Sequence, residues 1–267
     1  MNRHTQPLKR NADFLKIHLT STYQKLPIMM YTRRALQGSR IALVLHPGAF
    51  ESVWGDNKRY KKILLWLQKN LSSHPHIITY QTSRFPIPLP KIPAADPSYW
   101  QQKEQYWKQA FAGKTFQQEL LDVRQVYHYI VNHLKIHEIH TLGFSLGGTL
   151  AMLLTSEFPQ IRKLCVIGSA ISTKRDYLPV LSGYPKKQWI VNRIHAFPNY
   201  FKIMQGTEDR VVPQSDAQEI IQSMTHASVI TFDRFLHADH MFSGKNKYGL
   251  FSYQTTLSHI KHFFECE

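Results

Sequence analysis

In Gly143-Phe144-Ser145-Leu146-Gly147 a hydroxyl stands between glycines two residues to either side. Side chains at those glycine positions would collide with neighbouring backbone in a tight strand-to-helix turn, so the pattern suits such a turn and thrusts the serine out of it. Backbone N–H groups at the start of the following helix, Leu146 first, are then placed to stabilise an oxyanion developing on a group bonded to Ser145. The chemistry that needs this arrangement is acyl transfer. The plainer alternative is a turn in which Ser145 is an ordinary polar residue, since G-x-S-x-G strings also arise by chance. Context favours the chemical reading. An apolar run from Ile139 leads in, and Leu150-Ala151-Met152-Leu153-Leu154 leads out as a buried helix would.

A serine hydroxyl is a poor nucleophile at neutral pH; it needs a histidine to take its proton and a carboxylate to orient that histidine. Both types occur downstream. Gly206-Thr207-Glu208-Asp209-Arg210-Val211-Val212-Pro213 offers Asp209 as the acid, its shorter side chain holding an imidazole close to the backbone, with Glu208 as the rival. His237-Ala238-Asp239-His240-Met241-Phe242 offers His240 as the base, with His237 as the rival; Met241 and Phe242 supply apolar contacts that would fix the loop around His240. Upstream, His46-Pro47-Gly48-Ala49-Phe50 leaves another apolar run, and the N–H of Ala49 or Phe50 is the candidate second oxyanion donor.

These residues must be held by larger elements. Arg40–Leu45, Ile139–Leu142, Lys163–Gly168 and Tyr200–Met204 are short apolar runs of the kind strands buried on both faces require, and His76–Tyr80 is a further strand. Between them, Tyr60, Ile63, Leu64, Leu67 and Leu71 recur at helical spacing, as do Phe116, Leu120, Val123, Tyr127, Ile130 and Leu134. Strand and helix in sustained alternation specify an α/β fold with a mainly parallel central sheet and helices on both faces. Two early strands, Phe14 to Tyr23 and Leu26 to Tyr31, read as an edge hairpin. Tyr99, Trp100, Tyr106, Trp107 and Phe111 read as a separate core helix ending near Gly113, and the proline-rich stretch Arg84 to Pro97 as an irregular loop. Residues 172–198 interrupt the alternation and are read as a small cap over the site; Gln214 to Thr225 (helix), Ser228 to Phe232 (strand) and a closing helix carrying Leu257, Ile260 and Phe264 finish a single domain over 1–267.

Composition narrows the partners. The chain has 267 residues, 43% of them hydrophobic, enough for a sizeable core. No run reaches the roughly 18 apolar residues of a membrane span, and Met1 to Asp13 is polar and basic; the expected compartment is the cytoplasm. Cys165 and Cys266 form no disulfide framework. The net charge of +15 invites an anionic substrate or membrane surface. No zinc-ligand spacing, phosphate-cradling G-x-x-x-x-G-K or aromatic RNA-binding signature accompanies it, so neither a metal, nor a cofactor, nor specific nucleic-acid binding is expected.

With these motifs the chain resembles the α/β-hydrolase family over about residues 14 to 265. Gly143 to Gly147 is similar to that family's nucleophile elbow and His46-Pro47-Gly48 to its His-Gly oxyanion loop, with proline where many members carry glycine. Gly206 to Pro213 resembles its acid loop, in which the third residue after the glycine faces the histidine, and Asp239-His240-Met241-Phe242 its histidine loop. The order Ser, Asp, His agrees. The resemblance implies a serine hydrolase acting on a small-molecule acyl substrate, most like small esterases, monoacylglycerol-lipase-like enzymes and serine peptidase-like members. Thioesterase, peptidase, acyltransferase and a non-catalytic binding protein of the same fold stay open.

Overall fold

Alternate residues of one strand feed two separate cores. In β4 (Ile41–His46), Ala42 and Val44 join one apolar cluster while Leu43 and Leu45 join another on the opposite face, because successive side chains of a strand point to opposite sides of the sheet. Burial on both faces is why this strand reads as a continuous apolar run. The computed structural model describes residues 8–11, 14–35, 38–49, 51–55, 58–88, 96–175, 177–240, 242 and 253–266.

Within those residues the chain builds β1 (Leu8–Asn11), β2 (Phe14–Thr20), β3 (Pro27–Arg33), β4, α1 (Arg59–Asn70), β5 (His76–Gln81), α2 (Tyr99–Ala110) and α3 (Phe116–Asn132). It continues with β6 (Glu138–Phe144), α4 (Leu146–Leu154), β7 (Ile161–Ile167), α5 (Lys187–His195), β8 (Tyr200–Gly206), α6 (Gln214–Ser223), β9 (Val229–Phe235) and α7 (Tyr253–Glu265). The strands form one sheet in the order β1-β2-β3-β5-β4-β6-β7-β8-β9. From β5 to β9 every neighbouring pair is parallel, while β1, β2 and β3 add antiparallel at the other edge.

Helices α1 and α7 cover one face, burying Ile63, Leu64, Leu67, Leu257 and Ile260 against Leu43, Leu142 and Cys165. The other face carries α3 to α6, with Leu120, Val123, Leu150, Ile190, Ile194 and Ile220 against Val44, Ile139, Leu164 and Ile203. α2 buries Tyr106, Trp107 and Ala110 in this same cluster, as a core helix should. Among the described residues no helix is long and apolar enough to cross a membrane.

Strand order reverses at β4. The chain first places β5 on one side of it, then returns through α2 and α3 to place β6 on the other. Such a switch point opens a crevice beyond the carboxyl ends of the two strands, where ligands of open α/β sheets bind. His46 and Ser145 lie at those two ends.

Three expectations are corrected. The edge hairpin is not the edge, because β1 pairs outside β2; Leu8-Lys9-Arg10-Asn11 carries no alternation of apolar residues from which a strand could be read. The segment 172–198 is not all cap. Residues 187–195 are α5, which packs against α4 and α6 and buries Ile190 and Ile194 in the sheet-covering layer, so only the earlier part, with a 3-10 turn at Pro179–Leu181, borders the site. β9 runs on through Asp233 and Arg234 because it is an edge strand with a partly solvated side. The middle of the proline-rich stretch, 89–95, lies outside the described residues.

Candidate active site

The turn from β6 into α4 is tighter than side chains allow. A Cβ at Gly143 would strike the Cα of Gly148, one at Gly147 the carbonyls of His46 and Pro47, and one at Gly148 the hydroxyl of Ser169. Ser145, between them, has φ 50° and ψ −124°, a conformation a non-glycine residue holds only where its surroundings over-determine it. Its N–H is fixed by the Ile167 carbonyl at 2.9 Å, which ties the turn to the neighbouring β7. Leu146, as the first helical residue, has no intrahelical acceptor for its N–H, and that group borders Ser145 at the positive end of the α4 dipole.

Ser145 Oγ lies 3.1 Å from His240 Nε2, and His240 Nδ1 lies 2.9 Å from Asp209 Oδ2. The Asp209 side chain is fully buried and that of His240 is 14% exposed. Asp209 Oδ1 accepts the N–H groups of Val211 and Val212 at 2.8 and 2.9 Å. With its other oxygen so occupied, the carboxylate is aimed at the imidazole. Nδ1 therefore carries the proton it donates to Asp209, and Nε2 is left as an acceptor facing the serine hydroxyl. Gly168, at φ +55°, lies where a Cβ would stand 3.2 Å from His240 Nδ1 and 3.4 Å from Asp209 Oδ2, so the pair is backed by bare backbone.

The acid and base loops are locked together. Thr207 N–H donates to the Phe235 carbonyl and Glu208 N–H to that of Ala238, each at 3.0 Å. Phe242 is buried against Phe235, ring centroids 5.4 Å apart, the apolar anchor expected beside His240; Met241 lies outside the described residues.

The loop after β4 meets the same point from the other side. Pro47 has no N–H, and that of Gly48 donates to the Tyr60 hydroxyl at 3.2 Å. Ala49 is then the described residue of this loop that borders both cavities reaching Ser145, and its N–H is the second candidate donor. Phe50 lies outside the described residues. The root of the loop is held by His46, whose Nδ1 and Nε2 each lie 2.7 Å from the hydroxyls of Tyr80 and Tyr127. Burial pulls the His46 pKa down to about 3, so it is a neutral structural hub. Nothing in the sequence points to this role.

Further support comes from groups no motif reveals. Lys114, fully buried, pairs with Glu119 at 2.5 Å and Asp122 at 2.7 Å and donates to the Ser83 carbonyl. Asp122 also accepts from Ser21, and from Ser83 just beyond β5, so the network joins α3 to the ends of β2 and β5.

A family model described as the alpha/beta hydrolase fold matches residues 42–188, from β4 past the serine turn into α5. The chain belongs to the alpha/beta hydrolase family. Among solved structures, an esterase of Pyrococcus furiosus is similar at 14% identity, covering 94% of this chain and 90% of its own, with a TM-score of 0.63. A cold-adapted esterase from an Arctic intertidal metagenomic library is similar at 9% identity, over 98% and 99% of the two chains, with a TM-score of 0.61. The 2-hydroxy-6-oxo-6-phenylhexa-2,4-dienoate hydrolase of Rhodococcus sp. strain RHA1 is similar at 13% identity, over 95% and 99%, with a TM-score of 0.59. At these identities the likeness of this alpha/beta hydrolase to them is one of fold. A search of curated proteins finds no match to the sequence.

Proposed function

We propose that this alpha/beta hydrolase cleaves carboxylic esters through an acyl-enzyme formed on Ser145. The observation that carries the reading is the unbroken hydrogen-bonded chain from Ser145 Oγ through His240 to Asp209, opening onto a cavity of about 350 Å³.

Ser145 Oγ attacks the ester carbonyl carbon while its proton passes to His240 Nε2. The carbonyl oxygen takes up the negative charge and is received by the N–H groups of Leu146 and Ala49. As the tetrahedral species collapses, the bond to the alcohol oxygen breaks and His240 gives that oxygen its proton. Water, deprotonated by His240, then attacks the acyl carbon; the acid leaves and Ser145 regains its hydrogen. Asp209 stays ionised throughout and stabilises the imidazolium.

The test is turnover of a p-nitrophenyl ester series of increasing chain length, run beside thioesters of the same acids. The wild-type protein is expected to release acid from the oxygen esters, and Ser145→Ala to lose at least about three orders of magnitude in kcat. Normal turnover by Ser145→Ala overturns the mechanism.

A further inference from the structure

Among the described residues that line the cavities reaching Ser145, lysines and arginines outnumber carboxylates. The larger cavity is bordered by Lys174, Arg175 and Arg210, and Asp209 is the one carboxylate among its described lining residues. That carboxylate is fully committed to His240 and two backbone N–H groups. The smaller cavity, about 50 Å³, adds Arg59 and Lys103 against Glu51. Glu51 is likewise committed, to Arg59 at 3.1 Å and to the Tyr60 hydroxyl.

The cations arrive from separate parts of the chain. Lys174 and Arg175 follow β7, Arg210 follows the catalytic acid, and Lys103 projects from α2. Arg175 is half-buried and borders both cavities together with Ser145. The nearby carboxylate of Glu104 is held by Lys108 at 2.9 Å and also feels Arg175. Lys174 and Arg210 are exposed and make no ion pair among the described residues.

The segment that carries Lys174 and Arg175 is built in place. Buried Asp216 of α6 accepts the N–H of Ile171 at 2.9 Å, that of Ser172 at 3.1 Å and the Ser172 hydroxyl. The Arg175 N–H then donates to Thr173 Oγ1 at 3.0 Å. The same cavity is also lined by Leu146, Leu181 and Tyr184, the Tyr184 hydroxyl being held by the Ala170 carbonyl at 2.9 Å.

We infer that the substrate is an ester bearing an anionic group, a carboxylate or phosphate, received by Arg175 with Lys174 and Arg210, beside an apolar segment received by Leu146, Leu181 and Tyr184. The inference rests on the ester-hydrolase reading above and narrows it. A cation beside a partly dehydrated cavity attracts an anion more strongly than one in open water, and a guanidinium matches the fork of a carboxylate or phosphate.

The anion sits on the acyl side or on the leaving side, and paired substrates separate the two. One pair is p-nitrophenyl butyrate and the mono-p-nitrophenyl ester of glutaric acid, which adds a carboxylate to the acyl chain. The other is butyryl glycerol and butyryl glycerol phosphate, which adds the charge to the alcohol. The readout is the ratio of kcat/KM for the anionic member to that for the neutral one. In the wild-type protein one ratio is expected to exceed about threefold and to fall as salt is raised. Arg175→Gln and the exposed double charge reversal K174E/R210E should each reduce it. Wild-type ratios below threefold in both pairs overturn the inference, as does a ratio that neither variant moves. Fluorophosphonate labelling is recorded on the same protein: an unlabelled Ser145 sinks the ester-hydrolase reading itself, whereas a labelled Ser145 with flat ratios sinks only the charge inference.

Discussion

His237 Nδ1 lies 2.9 Å from Glu208 Oε1, so the two residues that rival His240 and Asp209 in the sequence are bound to each other. Both sit at the rim, 30% and 58% exposed, and the His237 N–H donates to the Thr207 hydroxyl at 2.9 Å. They brace the loops; they do not reach Ser145. At saturating substrate, His237→Ala and Glu208→Gln should keep kcat within several-fold of wild type. His240→Ala and Asp209→Asn should lose about three to four orders of magnitude. Crippled Glu208→Gln beside intact Asp209→Asn would reverse the assignment.

The parts of this site that could be read from sequence are those set by local rules. β4, β6 and β8 are visible because burial on both faces leaves apolar runs, and the loops that follow them carry their chemistry next to that signal. What could not be read depends on distant partners. His46 is fixed by Tyr80 and Tyr127, 34 and 81 residues away. Within 172–198 the mixed aromatic, basic and proline composition hides a helix of the sheet-covering layer, because what sets α5 apart is the surface that Ile190 and Ile194 meet. Lys114 looks like any surface lysine until Glu119, Asp122 and Ser83 close around it.

Gly206 marks where the acid and base loops touch. A Cβ there would strike the Ala238 carbonyl, and neither side of the contact is a flexible side chain. Gly206→Ala is expected to force the loops apart, destabilising the fold by about 1 to 3 kcal/mol and lowering activity beyond that through the His240 to Asp209 distance. Urea unfolding and kcat, measured on the same preparation, check it. Wild-type values for both would show that the loops are not coupled there.

His46 sets an acid limit on stability. Burial lowers its folded pKa to about 3, below the roughly 6.5 of an unfolded histidine. Below 6.5 the unfolded chain therefore binds a proton the native state refuses. Its stabilising contribution is complete above pH 6.5 and is lost as pH falls toward 3, reaching a loss of about 2 kcal/mol by pH 5. Burial of His140 works in the same direction. Urea midpoints between pH 7.5 and 5 should fall accordingly, and replacing His46 with Gln should flatten that slope while costing stability at pH 7.5. An unchanged slope in the variant would remove His46 from this role.

The buried Lys114 network should behave as an all-or-none unit. Lys114→Met leaves the Glu119 and Asp122 carboxylates together in the interior without their cation, an arrangement that typically costs about 3 to 5 kcal/mol. The triple replacement of Lys114, Glu119 and Asp122 by apolar residues of similar size should recover much of that loss. Chemical denaturation of both variants gives the comparison; a single variant as stable as wild type would show that the carboxylates do not depend on Lys114.

The most direct test of the central claim is the intact mass of the protein after reaction with a fluorophosphonate, followed by peptide mapping. The wild-type protein should gain one phosphonyl group, located on Ser145, and His240→Ala should gain it far more slowly because the hydroxyl has lost its base. Ser145→Ala should gain none. An equal gain by Ser145→Ala, or a label mapped to any other residue of the wild-type protein, would contradict a nucleophile at the β6–α4 turn.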